Sequence, residues 1–272
     1  MSLRINSNTA AFNAYRNLTI NDGMLSKSLE KLSSGFRVNR AADDAAGLIK
    51  SESLRADIRG LGQAVKNAQD GISFVQTAEG ALVEVHAILQ RMNELAVSAA
   101  NTATSDGSAE QAELAQLRTQ LGEIGAQTRF AGLDVFTGTA QTFQIGSAAG
   151  ETIAVTVGAL TTSAVGTPAV DLSGVTLTGG GASGAITTIG NAIDAVSTTR
   201  GNLGAIQNRL EHTVRNLNVS IENLSASESR IRDTDMALEM ASFTRNQIML
   251  QAGTAMLAQA NAVPQNVLSL LR

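Results

Sequence analysis

The chain has 272 residues, a net charge of −4, 43% hydrophobic but only 3% aromatic residues, and neither tryptophan nor cysteine. This excludes a disulfide framework, a thiolate metal site and a cysteine nucleophile, and it argues against a nucleic-acid binder, which needs a concentrated basic patch. Burial must rest on Leu, Ile, Val, Met and Ala, and only Pro168 and Pro264 break long runs, so a mainly α fold of coiled-coil helices is expected.

The N-terminal stretch has no apolar core of the kind a secretory signal needs. Leu18, Leu25 and Leu32 then fall seven apart, with Leu29 between, and mark an apolar helix stripe. A charged cluster follows at Arg37, Arg40, Asp43 and Asp44. Val75, Ala78, Leu82, Val85, Leu89, Met92 and Ala96 form a second seam, and Leu114, Leu117, Leu121 and Ile124 a third. Residues 101–108, rich in Ser, Thr, Asp and Gly, read as the turn between those two helices.

The pattern changes after residue 130. Phe143 and Ile145 alternate with polar residues, as do Ile153, Val155 and Val157, and Gly146–Gly150 supplies a turn, so a β-hairpin is expected. Residues 158–184 are rich in Gly, Thr and Ser, with weak strand signals at 169–172 and 175–177, and predict a small surface-exposed β region. Residues 179–184 spell G-x-G-x-x-G, but no βαβ unit surrounds them, so a flexible loop explains the glycines better than a dinucleotide site.

From Ile186 to Ile231 apolar residues recur at alternating steps of three and four, in a frame interrupted only at Arg200, Gln207 and Glu228. That predicts one helix far longer than the globular mean of about 11–12 residues. A second charged cluster, Arg230, Arg232, Asp233 and Asp235, precedes a last stripe of Met236, Met240, Phe243, Leu250 and Leu257. No charge lies between Arg245 and Arg272, but the amides along that stretch and Pro264 make it a poor membrane span. His86 and His212 have no paired-ligand spacing, and no nucleophile elbow or P-loop is present. Neither an enzyme nor a cofactor is expected.

Charge-poor striped ends must bury more than one face. Two readings stay open: the ends meet other copies of the chain, or they fold back as ordinary core of the monomer.

The junctions and ends carry a resemblance. Leu32-Ser33-Ser34-Gly35, then Arg37, Asn39 and Asp43–Gly47, stand on one side; Ser229–Ile231, Asp233, Asp235, Gln251–Gly253, Leu257–Asn261 and Val263–Leu271 stand on the other. In these motifs the sequence resembles a bacterial flagellin, over about residues 1–140 and 185–272. The resemblance implies an extracellular structural subunit of the flagellar filament, a non-enzyme that polymerises with itself. A flagellar hook–filament junction protein is the alternative. The flagellin resemblance implies a terminal assembly region (residues 1–42 with 232–272), a helical rod (43–137 with 185–231) and a short hairpin-and-variable insert (138–184) without outer domains. The ends would be disordered in the free chain and fold during assembly.

As assembly residues it points to Leu18, Leu25, Leu29, Leu32, Met236, Phe243, Leu250, Leu257, Val267, Leu268 and Leu271. Arg37, Asp43, Asp44, Arg230, Asp233 and Asp235 are the junction charges. Implied partners are the filament cap, hook-associated proteins, the flagellar type III export machinery and an export chaperone. The run Gln90-Arg91-Met92-Asn93-Glu94-Leu95-Ala96-Val97 resembles the pattern of flagellins detected by the innate receptor Toll-like receptor 5. It implies that Arg91, Leu95 and Glu113 serve filament packing first and that receptor second.

Overall fold

The computed structural model describes residues 8–101, 107–178 and 180–270, with side chains as far as residue 263. Its helices are α1 (Thr9–Ser34), α2 (Ala45–Ala99), α3 (Ser108–Gln127), α4 (Ala182–Arg232) and α5 (Met236–Leu270). Three short strand pairs lie between α3 and α4: β1 (Arg129–Phe130) with β2 (Leu133–Asp134), β3 (Ala140–Gln144) with β4 (Thr152–Thr156), and β5 (Leu160–Thr161) with β6 (Ala164–Val165), all antiparallel. The chain divides into a terminal unit, Met1–Ala56 with Asn223–Arg272, and a central unit, Asp57–Glu222.

Helix boundaries follow local chemistry. Asn8 caps α1 by accepting from the Ala11 amide at 3.0 Å. Gly35 ends α1 in the left-handed region (φ 75°) and donates its N–H to Lys31 O at 2.8 Å. Only glycine enters that conformation without a Cβ penalty. Asp44 opens α2 by accepting from the Gly47 amide at 2.9 Å. Asp235 opens α5 by accepting from the Ala237 and Leu238 amides. Two of the junction carboxylates are therefore helix caps placed where the dipole favours negative charge.

In the central unit the three expected seams share one core. Val75, Leu82, Leu89 and Met92 of α2, Leu114 and Leu121 of α3, and Ile189, Val196, Leu203 and Leu210 of α4 are all sealed from solvent. Part of α2 is long and apolar enough to cross a membrane by composition, but its apolar seam packs into this core. The hairpin closes the lower part of the core. Phe143 pairs with Ile153, whose neighbour Val155 also points inward. Phe74 meets the Phe143 and Phe130 rings with centroids 5.8 Å away in each case, the second pair edge to face.

Two features depart from the sequence reading. The β1–β2 hairpin was not expected: its turn is Ala131-Gly132, with φ 50° and 84°, rather than the more legible Asn-Gly. The Gly/Thr/Ser stretch is not a surface region throughout. Leu160, Val165, Leu172, Val175 and Leu177 are buried in the core cluster, because isolated apolar residues in a polar run can be tucked under the chain one at a time. Of the weak strand signals, Val170 makes a single bridge with Val165, and 175–177 forms no strand. Arg118 holds this stretch by donating to the Leu172 and Ser173 carbonyls, and Gln111 Oε1 accepts from the Leu177 amide at 2.6 Å.

Candidate assembly interface

The terminal unit is built on an antiparallel pair, α1 against α5. Asn8 Nδ2 donates to Ala260 O at 2.8 Å, Leu18 lies against Gly253, and Lys31 pairs with Glu239 at 3.7 Å. The shielded positions on α1 step by three and four: Ala11, Ala14, Leu18, Asn21, Leu25, Ser28 and Leu32. Those on α5 do the same: Glu239, Phe243, Asn246, Leu250, Gly253, Leu257 and Ala260. This is coiled-coil spacing. The seam is thin, however, because small and polar residues take about half of it.

Leu18, Leu25, Leu32, Phe243, Leu250 and Leu257 thus face the partner helix, whereas Leu29 and Met236 turn outward. The side chains of Val267 and Leu268, and all of Leu271, lie outside the described residues. Much apolar surface remains open on both helices. Phe12, Tyr15, Ile20, Met24 and Leu29 on α1 are exposed, as are Met236, Leu238, Met240, Ile248, Met249, Met256 and Val263 on α5. A helix apolar on nearly every side needs cover on nearly every side, and α1 supplies one side only.

The other end of the pair is clasped where the two chain directions meet. Phe36 and Asp233 form an antiparallel bridge. Arg37 donates its amide to Arg232 O and its guanidinium to Ile231 O, both at 2.6 Å, and the Thr234 amide donates to Gly35 O at 3.0 Å. Arg232 is the hub. Its guanidinium carbon lies 4.8 Å from the centre of the Phe36 ring, and Nη1 donates to Glu52 Oε1 at 2.6 Å. That bond, with Arg55 beside it, holds the Glu52 carboxyl below its ordinary value. Asp43 accepts from the Arg40 and Asn39 amides, and the Arg40 bond is the main reason its carboxyl is also held low.

Among the predicted junction charges, Arg37, Asp43, Asp44 and Asp235 have defined tasks in this clasp or its caps. Asp233 contributes through its backbone, and Arg230 donates to Ser227 on its own helix. Sequence reading missed Phe36 and Glu52 as partners of Arg232, and missed the Lys31–Glu239 pair across the seam. The sole acid of α5 is Glu239, and its isolation on an apolar helix was a usable signal.

On the central unit, Arg91 Nε binds Glu113 at 2.9 Å and Nη1 binds Glu94 at 3.1 Å. Glu113 is the chief cause of the raised Arg91 pKa. Leu95 does not share that surface. It is 6% exposed and belongs to the core, since the helical period that exposes Arg91 turns residues 92, 95, 96 and 99 inward.

Residues 5–141 match the bacterial flagellin N-terminal helical region, and residues 186–271 match the bacterial flagellin C-terminal helical region. Flagellin of Bacillus subtilis (strain 168) is 46% identical over 304 residues, covering 99% of this chain and 100% of that protein. A flagellin of Halalkalibacterium halodurans is 51% identical over 272 residues, covering 98% and 99%. The flagellar filament 33 kDa core protein of Treponema phagedenis is 45% identical over 284 residues, again covering 98% and 99%. The crystal structure of Bacillus cereus flagellin aligns at 27% identity with a TM-score of 0.45, over 56% of this chain and 88% of that one. With both helical regions matched and relatives aligned along nearly their whole length, the chain belongs to the bacterial flagellin family.

Proposed function

We infer that this protein is a structural subunit of the bacterial flagellar filament, located outside the cell, which joins other copies of itself through α1 and α5. The observation that carries this is the apolar surface left open on both helices after they have paired. Heterologous contacts between such faces build a helical polymer when their rotation does not close into a ring, and that is the arrangement proposed for this subunit. The family's relatives are filament proteins by name, which agrees; no observation favours the hook–filament junction alternative.

In this reading residues 1–42 and 232–272 make the inner tube, residues 43–137 and 185–231 the surrounding rod, and residues 138–184 a small outer insert. The thin α1–α5 seam suits ends that fold when filament neighbours add the missing cover. The same apolar faces would be met earlier by the export machinery, an export chaperone, the filament cap and hook-associated proteins. Arg91 and Glu113 offer a charged surface for packing and for Toll-like receptor 5.

The test is seeded elongation. Purified chain added to filament fragments should grow long tubes visible by electron microscopy. Removing residues 236–272 should stop growth while the helical signal of the central unit persists; growth by the truncated chain would refute the assignment.

A further inference from the structure

The chain's sulfur sits almost entirely on the faces that remain open. Cysteine and tryptophan are absent, and there are seven methionines. Met1 lies outside the described residues. Met92 is sealed in the central core at 0% exposure, whereas Met24, Met236, Met240, Met249 and Met256 are between 47% and 65% exposed. All five lie on α1 or α5. At 3.6 residues per turn, Met236 and Met240 flank the α1 seam on one side of α5, and Met249 and Met256 flank it on the other. Methionine suits such a face, because its flexible thioether fills irregular gaps against a neighbour.

We propose that these five methionines are an oxidation-sensitive set that gates polymerisation: their conversion to sulfoxides by hydrogen peroxide stops the subunit from joining a growing filament end. The sulfur lone pair attacks a peroxide oxygen, the O–O bond breaks, an S–O bond forms, and the other oxygen leaves as water. Sulfur is oxidised by two electrons and the peroxide is reduced. Each thioether becomes a polar, chiral sulfoxide on a surface that a neighbour must cover without offering it a partner. No cysteine competes for the oxidant. Methionine sulfoxide reductases act on both epimers between them, so the block is reversible before assembly. The inference rests on α1 and α5 being the assembly faces.

The experiment treats the purified full chain with hydrogen peroxide and then seeds it with filament fragments. Peptide mass spectrometry should find one added oxygen on each of the five methionines and none on Met92. The treated chain should lose elongation, and reductase treatment should restore it. A variant carrying M24L, M236L, M240L, M249L and M256L should elongate with or without peroxide. Undiminished growth of the treated parent overturns the gate while leaving the subunit reading intact. So does failure of reductase to restore growth, which also serves if the fivefold variant does not fold by circular dichroism. Failure of the untreated parent to elongate overturns both.

Discussion

The guanidinium carbon of Arg232 lies over Phe36, 4.8 Å from its ring centre, and ties the last turn of α4 to the segment that leaves α1. The same guanidinium holds Glu52 at the start of α2. One side chain thus secures three segments of the terminal unit. Replacing Phe36 by Leu keeps apolar bulk but deletes the ring's negative face, at a cost of about 0.5–1 kcal/mol. Arg232→Lys loses the planar fork that allows both contacts at once. Both variants should show faster hydrogen exchange at residues 35–37 and 231–234, with exchange in the core around Leu89 and Leu203 unchanged.

The clasp should weaken in acid. Glu52 and Asp43 have folded-state pKa values lowered from 4.5 and 3.8. A lowered folded value means stabilisation is present above the unfolded pKa and is lost as pH falls through the folded one. Exchange protection at the junction should therefore hold from neutral pH to about 5, then decline below about 4.5 and continue to fall with further acidification. Glu52→Gln should flatten part of that decline; an unchanged profile would show that the Arg232 pair contributes nothing.

Core and assembly residues can be separated by paired leucine substitutions. Leu203 is fully buried in α4, so Leu203→Ala should cost about 2–5 kcal/mol of central-unit stability. Leu29 is 58% exposed, so Leu29→Ala should change stability by no more than about 0.5 kcal/mol. Seeded elongation should reverse the ranking per unit of stability lost, with Leu29→Ala slowing growth although thermal unfolding is unmoved.

Gly125 on α3 packs directly against the Leu160 carbonyl, so that a Cβ there would overlap it. Gly125→Ala should push β5 off α3 and destabilise the central unit by about 1–3 kcal/mol, read as a lower Tm. Gly122→Ala, which meets only a Thr162 methyl, should be milder.

Arg91→Ala removes contacts to Glu94 and Glu113 that are open to solvent on both sides. Exposed pairs add little to folding, so the melting temperature should hold. Elongation and a Toll-like receptor 5 reporter signal should both fall; a reporter signal equal to the parent's would confine Arg91 to packing.

The long helices were readable because heptad repetition is redundant. Ile189, Val196, Leu203 and Leu210 restate one face many times over, and no single residue can mislead. The β3–β4 hairpin was legible from its alternation, but the stretch after it was not, for the opposite reason. Leu160, Leu172 and Leu177 are each buried by a local fold of chain, held by Arg118 and Gln111 from a distant helix, and such pairings leave no period. Leu95 shows a further limit: a motif borrowed as a set of contacts did not say which of its members the helix turns inward. The clasp depends on Arg232 finding Glu52, 180 residues away. Charge clustering located that junction, but spacing could not name the pair.

The hydrogen bond from Asn8 to Ala260 joins positions 252 residues apart. In whichever direction the chain is delivered, the helix that emerges first waits for the one that emerges last. A chain cut short anywhere before α5 leaves α1 without its mate, however well the central unit has folded. On the assembly proposed above, the terminal pair therefore acts as a completeness check: a chain lacking α5 presents only one half of the surface proposed to join the polymer.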